Sequence, residues 1–588
     1  MNGIGVNLEG QQAELPGVYH TVNTSRFNRP RPFGAKRLAI IAPALGGPPR
    51  KFTAITPSEA ARVLKGGVGL ELVNDAADPS PLGGASDILF YRVNAATKGS
   101  LNLGNLTVTA KDAHAGVEGN AIRVRRDSVP GDAAARRLSV ELPGDGLGAE
   151  ESPELGPALE ISYVGSGAAP TVTVQDSAGQ KALALASDVA VEARTILIGG
   201  SGVKTFSELA QLINETGAWT AKVLYRHGNF NPGGLAAGAV AVSANKATLD
   251  LGVEAQAQWL AGSRYVSAAV AGGAEAGLDA GWLYLSGGTE GPAVTANDYA
   301  NALNALEDED VQAVLVGTPD PAVAAMGAAH CRSMSHPVNR RERVFFTGEA
   351  LAASAEAQES EAIELAASLD TDAAVVAGTA VLRRNPRTGL VEELPPFRVA
   401  AMLAGLWCAL GWDQPLTYKP LKVLGVVHKS ERALKRYLTK GVTGVMYDAD
   451  DQTYRVSEAI TTWQADLDPQ RRKLHGVGVR FFLNKYMRFS LKKWAGGVAS
   501  QDDLRQMLAD ADAALLRQVR GSGGTNNPNG VLTAGQHPET GEDVPPYSDL
   551  RLVFDGNSVV ALTYRACAIG EITQIVGEAT FEPIKITA

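Results

Sequence analysis

Between Thr195 and Ala210 the chain reads Thr-Ile-Leu-Ile-Gly-Gly-Ser-Gly-Val-Lys-Thr-Phe-Ser-Glu-Leu-Ala: a strand, a glycine-rich turn and a helix. Backbone N–H groups of such a turn, backed by a helix N-terminus, can cradle phosphate. The spacing argues against it here. A phosphate-binding loop needs Gly directly before its Lys, and Val203 intervenes; the dinucleotide pattern needs a third glycine where Thr205 stands. Thr205 or Ser207 as a helix cap is the simpler reading. Ser201 and Lys204 form a Ser-x-x-Lys pair with no companion motif of a serine hydrolase. His330, Cys331 and His336 are the densest group of soft ligands, but no fourth ligand accompanies them, and a surface turn closed by Pro337 accounts for the segment. His475 has no adjacent carboxylate to make it a catalytic base. No catalytic, cofactor-binding or metal-ligating residue is assigned, and no enzyme activity is expected.

Charge is concentrated in two places. Glu349 to Asp372 carries seven carboxylates and no base in an Ala-rich helical pattern, which reads as a solvated face. Arg471 to Trp494 carries eight Lys or Arg and no acid, interleaved with Phe481, Phe482, Tyr486, Phe489 and Trp494. Aromatics among cations can stack single-stranded nucleic acid. A half-buried strand, apolar side chains inward and Arg480, Lys485, Arg488 and Lys492 outward toward an acidic protein partner, explains the pattern better. The net charge of −9 also opposes generic nucleic-acid binding.

The elements that must position these residues belong to a long, glycine-rich chain. Its 588 residues exceed what one core serves, so three or four domains of roughly 100–200 residues are expected. Cys331, Cys408 and Cys567 are far apart and read as buried thiols. No secretory leader is visible, and the longest apolar run, Val399 to Trp412, is 14 residues, too short to span a membrane; assembly in the cytoplasm without membrane insertion is expected. The fold class expected is multidomain α/β: a mixed α/β core with an inserted β-rich domain and an α+β C-terminal domain carrying terminal strand-exchange arms. Residues 1–24 form an N-terminal extended arm with the strand Pro16–Thr24, and 25–98 the first part of the central α/β domain. Residues 99–280 are one inserted β-rich domain or two, with short alternating strands between Gly, Pro, Asp and Ser clusters. Residues 281–462 return to α/β, beginning with a strand at Gly281–Ser286 and including another at Leu421–Val427, and 463–588 form the C-terminal domain. The last stretch, Val559 to Val576, reads as extended strand. Strand-forming segments at both ends suggest polymerisation by lending strands to neighbours, through Val18, Tyr19, Thr21 and Val22 at one end and Ile569, Ile572, Ile575 and Val576 at the other.

Several segments together resemble the contractile tail sheath family of myophage-type bacteriophages. Leu285-Ser-Gly-Gly-Thr-Glu-Gly291 is similar to the family's Leu-x-Gly-Gly-x-Asp-Gly turn, with Glu290 in place of Asp. Ala110 to Asn120, with Ile122, resembles its Ala-x-Tyr-Pro-Gly-x-x-Gly-Asn-x-Ile segment, with His114 and Ala115 departing from Tyr-Pro. Phe206–Asn214 resembles the helix that follows, and Pro16-Gly-Val-Tyr19 the leader. The regions near 126 to 195 and 226 to 280 have no counterpart and read as outward-facing insertions.

The resemblance implies a virion tail protein whose hexameric rings stack around an inner tail tube, joined by the terminal arms, and contract without a cofactor. Its partners would be other copies, the tube protein, and baseplate and tail terminator proteins. A leader of about 20 extended residues reaches roughly 65 Å, enough to meet a neighbour. Arg471, Arg472, Lys473, Arg480, Lys485, Arg488, Lys492 and Lys493 are then expected to face the tube. The rival readings are a non-contractile baseplate or surface scaffold and a tail-associated glycan hydrolase. The hydrolase would show convergent carboxylates, and none are evident.

Overall fold

The computed structural model describes residues 6–8 and 11–13 in backbone only, then 34–177, 179–385, 388–521, 527–536, 540–556 and 558–573. The runs richest in branched and aromatic residues form the centre. Strands β1 (Leu38–Ala42), β2 (Phe52–Ile55), β3 (Ile88–Arg92), β4 (Ala313–Val316), β5 (Val344–Gly348), β6 (Ala374–Ala377) and β7 (Val442–Thr443) make one sheet in the order β7-β6-β5-β4-β1-β3-β2. Every pair is parallel except the antiparallel β2–β3. Buried on both faces, these strands need not alternate in polarity, which is why they read as continuous apolar runs.

Helices cover both faces. Leu38 and Ile40 point to a core shared with α1 (Pro57–Leu64), α2 (Val68–Ala77) and α6 (Pro396–Ala409); Ala39 and Ile41 point the other way, to α3 (Ala296–Ala305), α4 (Pro321–Met334), α5 (Ala355–Leu369) and α7 (Glu431–Lys440). Start signals are local: Asp320, Ser354 and Ser430 each accept a hydrogen bond from a first-turn amide. Cys331 and His330 sit within α4, not in the expected turn, and Cys331 is fully buried.

Residues between β3 and α3 build the insertion. Four antiparallel sheets, with the helices Phe206–Asn214 and Val253–Gly262, share one continuous core that includes Val124, Leu138, Leu159, Leu183, Phe206 and Trp219. The expected strand at Gly281–Ser286 belongs here and not to the central sheet: Leu283–Tyr284 pairs antiparallel with Val124 and Arg123. Leu421–Val427 is likewise no central strand. Pro420–Leu421 pairs with Arg455 and Tyr454, and Gly425–Val426 with Leu382 and Val381.

The C-terminal domain corrects the largest expectation. The basic stretch is not a strand but the 18-residue helix α8 (Leu474–Leu491), followed by α9 (Gln501–Leu516) with a Ser500/Asp503 capping box. Alternation over a few residues mimicked a strand, but the apolar positions serve two cores at helical spacing. Leu474, Val477 and Phe481 complete the central core, while Val479, Leu483 and Met487 pack with Ala511, Leu515, Val531 and Leu532. Two further strands, β8 (Tyr547–Phe554) and β9 (Val560–Ala566), form an antiparallel ribbon packed on α9.

Candidate functional site

The positions where an enzyme of this architecture would work are occupied by the chain itself. In open α/β sheets ligands settle beyond the carboxyl ends of the strands where strand order reverses. Here that point lies between β3, β1 and β4. Arg92, at the end of β3 and 1% exposed, donates to the carbonyls of Gly47 and Ala115, both at 2.7 Å, and to Glu290 at 2.6 Å. Asn94 accepts from the Ala44 amide at 3.1 Å and donates to Glu290 at 2.8 Å. The glycine-rich turn at 199–202 presents no phosphate cradle: the amides of Gly199, Gly202 and Val203 bond inward to carbonyls of Val203, Gly199 and Leu197. Thr205 caps the following helix in a box with Glu208, as the sequence indicated, and the Ser201 hydroxyl donates to Gln180. A cavity of about 420 Å³ lies beyond β6, between α5 and α7. Three of its polar groups are committed: His428 is bonded to the Ala352 carbonyl, Tyr437 donates to Gly378 and Ser430 caps α7. Among the described residues no group of three or more His, Cys, Asp or Glu could hold a metal ion, and no helix is long and apolar enough to cross a membrane.

The two motifs that carried the resemblance meet in space. The chain leaves the central domain after β3 and returns before α3, and the two passages run side by side: the Thr97 amide donates to Thr289 and the Ser100 amide to Ser286. Asn120 locks them, accepting from the Gly288 amide at 2.8 Å and donating to the Gly288 carbonyl at 2.9 Å. Glu290 accepts from the Val117 amide and from Arg92, which ties both passages to β3. A Cβ at Gly288 would sit 2.4 Å from the Gly116 carbonyl oxygen, and Gly116, at φ +116°, would place one 2.5 Å from Glu290 Oε1. The motif residues thus root the insertion.

The cations of α8 are engaged within the chain. Arg480 pairs with Asp372, Arg488 with Glu342 through two contacts of 2.6 Å, and Lys485 with Asp310. The three carboxylates lie in the loops preceding β6, β5 and β4, so α8 lies across the amino ends of the central strands as a clasp. Lys473 pairs with Glu458 and Glu571, Lys493 with Asp510, and Arg471 with Asp468; Arg472 donates to the Leu438 carbonyl. Among the described residues Arg472 and Lys492 are the two of the eight that make no ion pair. The sequence led to an acidic protein partner for these cations; in the structure Arg480, Lys485 and Arg488 meet carboxylates of the same chain. The pairing carboxylates lie some 110 to 175 residues upstream in unlike loops, beyond local pattern.

The terminal segments divide. Val560–Ala566, expected in the C-terminal arm, pairs with β8 of its own chain. Ile569 is 9% exposed, packs in the C-terminal core and donates its amide to Val531. Ile572 is 80% exposed. Val18, Tyr19, Thr21, Val22, Ile575 and Val576 lie outside the described residues. The β8–β9 ribbon has two strands only, so among the described residues both outer edges lack a strand partner. Its inner face is half-buried through Tyr547, Leu550, Leu562 and Tyr564.

No family model matches the chain, and no curated protein matches it. Solved structures do. The sheath tail protein of Desulfitobacterium hafniense is 16% identical, with a TM-score of 0.51 over 94% of this chain and 100% of that one. The sheath tail protein Lin1278 of Listeria innocua is 14% identical, with a TM-score of 0.54 over 91% of this chain and 93% of that one. The fold of this chain is that of tail sheath proteins.

Proposed function

We propose that the chain is the sheath subunit of a contractile tail, polymerising around an inner tail tube and contracting to drive that tube through a target cell envelope. One observation carries the reading: the β8–β9 ribbon ends the described fold with both edges unpaired. A two-stranded sheet is marginal by itself, and open edges are templates for strands from other chains. The sequences available to fill them are the alternating segments around Val18 to Val22 and around Ile575 and Val576. Strand addition relies on backbone hydrogen bonds, so an arm can swing while staying paired. The likeness to sheath structures over nearly the whole chain supports the same reading.

Contraction of such a lattice needs no nucleotide when the extended form is kinetically trapped and the contracted form packs better. The self-filled strand-order reversal point accords with a structural role. For the tube, the facing set proposed is Lys492, which makes no ion pair among the described residues, and Lys493, whose side chain stays 61% exposed while it pairs with Asp510, both just past the end of α8. Baseplate and tail terminator proteins would cap the two ends, and the assembled object would reside in the virion tail. Negative-stain microscopy of the purified chain tests the proposal: hollow tubes are expected, and discrete particles under all polymerising conditions would favour a scaffold.

A further inference from the structure

Both ends of the described fold arrive at one place. On the N-terminal side, Lys36 Nζ donates to the carbonyls of Trp407 at 2.9 Å, Leu410 at 3.0 Å and Gly411 at 3.3 Å, at the C-terminal end of α6. It also lies over the rings of Trp407 and Trp412, 4.4 and 4.6 Å from their centroids. A cation there satisfies carbonyls the helix leaves open and meets two aromatic faces. The Trp412 indole N–H donates to the carbonyl of Gly34, the first described residue after the leader. On the C-terminal side, the Glu571 carboxylate, with its side chain 1% exposed, accepts from the Thr417 hydroxyl at 3.2 Å and pairs with Lys473 at 3.3 Å.

His475, in the first turn of α8, is 5% exposed, and the Trp407 and Trp412 rings at the end of α6 pack with its neighbours Leu474 and Val477 in one core. Its Nε2 is buried and has no hydrogen-bond partner among the described residues. Asp413 pairs with Arg520, whose amide donates to Leu532, and Leu532 bridges to Ala568. The lysine that follows the leader and the glutamate that precedes the tail are thus linked through the end of α6 and the start of α8.

We propose that Lys36, His475 and Glu571 form a single joint that fixes the direction in which both terminal segments leave the subunit, so that the two arms are positioned together. Buried polar networks respond as units: removing one member leaves its partners unpaired in the interior and loosens the rest. If the arms engage two different neighbours, a displacement of one is passed to the other through this joint. That use rests on the strand-exchange reading above; the joint itself is intramolecular.

Hydrogen exchange on the unassembled full chain tests it by reading each root while disturbing the other. Lys36→Met should speed exchange in the 566–573 segment at least ten-fold, through the Ile569 amide bonded to Val531. Thr417→Val, which removes the hydroxyl that holds Glu571, should speed exchange at 34–38 at least ten-fold, through the Arg37 amide bonded to Gln312. Thr417→Ser should behave as the parent, and β4 and β5 should be unchanged in all three. Changes confined to the disturbed side, or a uniform rise across β4 and β5, would overturn the joint. Should Lys36→Met fail to fold, the Thr417 pair decides alone. A negative result here leaves strand exchange intact, whereas failure to form tubes with the coupling present would sink strand exchange and spare the joint.

Discussion

Reversing the charge at Arg488 should loosen the C-terminal domain from the central sheet, and reversing Glu342 as well should restore much of the loss. The Glu342 side chain is 5% exposed and Arg488 33%, with two contacts of 2.6 Å between them. Unit charges about 3 Å apart attract by roughly 5 kcal/mol at an effective dielectric near 20. Solvent at the guanidinium and the cost of stripping water from the carboxylate reduce the net worth to about 2–3 kcal/mol. Arg488→Glu removes that and adds repulsion against a carboxylate that cannot reach water, so a destabilisation of about 3–4 kcal/mol is expected. Urea unfolding gives the loss, and hydrogen exchange of α9 peptides shows whether it falls on the C-terminal domain. The Arg488→Glu, Glu342→Arg pair should recover at least half. If Arg488→Glu leaves stability and α9 protection untouched yet abolishes co-assembly with a tube protein, the clasp is wrong and the basic helix faces outward.

Gly288→Ala should destabilise the root of the insertion by about 2–3 kcal/mol, because its Cβ meets at 2.4 Å the Gly116 carbonyl, which is held by the Gly119 amide, and at 2.9 Å the Asn120 side-chain oxygen of the lock; thermal unfolding with proteolysis at the insertion boundary checks it. Acid should weaken the subunit between pH 6.5 and 4. Burial holds His114, His330 and His475 down at about 4, so across that window the unfolded chain binds more protons, at up to about 3 kcal/mol for each histidine. Glu349, pushed up to about 7 by burial and by Glu361 and Glu364, acts in the opposite sense and offsets part of this. Unfolding midpoints across the window should therefore fall, and replacing His475 with Gln should flatten the slope. Deleting residues 1–15 should leave a folded monomer or isolated rings that do not elongate, read by sedimentation and microscopy; unimpaired tube growth would count against arm exchange.

Periodicity delivered the central domain because its strands are long apolar runs and its helices begin at Asp, Ser and Pro signals. It lost α2, whose Val68-Gly-Leu-Glu-Leu-Val lacks a capping side chain, its N-cap being Gly67 at φ +84°. It misread α8 because a helix serving two cores has apolar residues around most of its circumference, and this blurs the contrast between faces that marks a helix. The motif at 285–291 was visible as a turn, but its purpose was not: Glu290 acquires meaning from Arg92, Asn94 and the Val117 amide, some 170 to 200 residues earlier. The same holds for the α8 clasp and for the joint between Lys36 and Glu571, since chain order carries no record of which distant charges fold together.

Cryo-electron microscopy of tubes grown from the purified chain reads the β8–β9 ribbon directly. The account requires an added strand on each of its outer edges, traced to residues near 18–22 of one neighbouring copy and near 575–576 of another. A ribbon that remains two-stranded in the lattice, or whose edges are filled by its own subunit's ends while neighbours touch elsewhere, would contradict it.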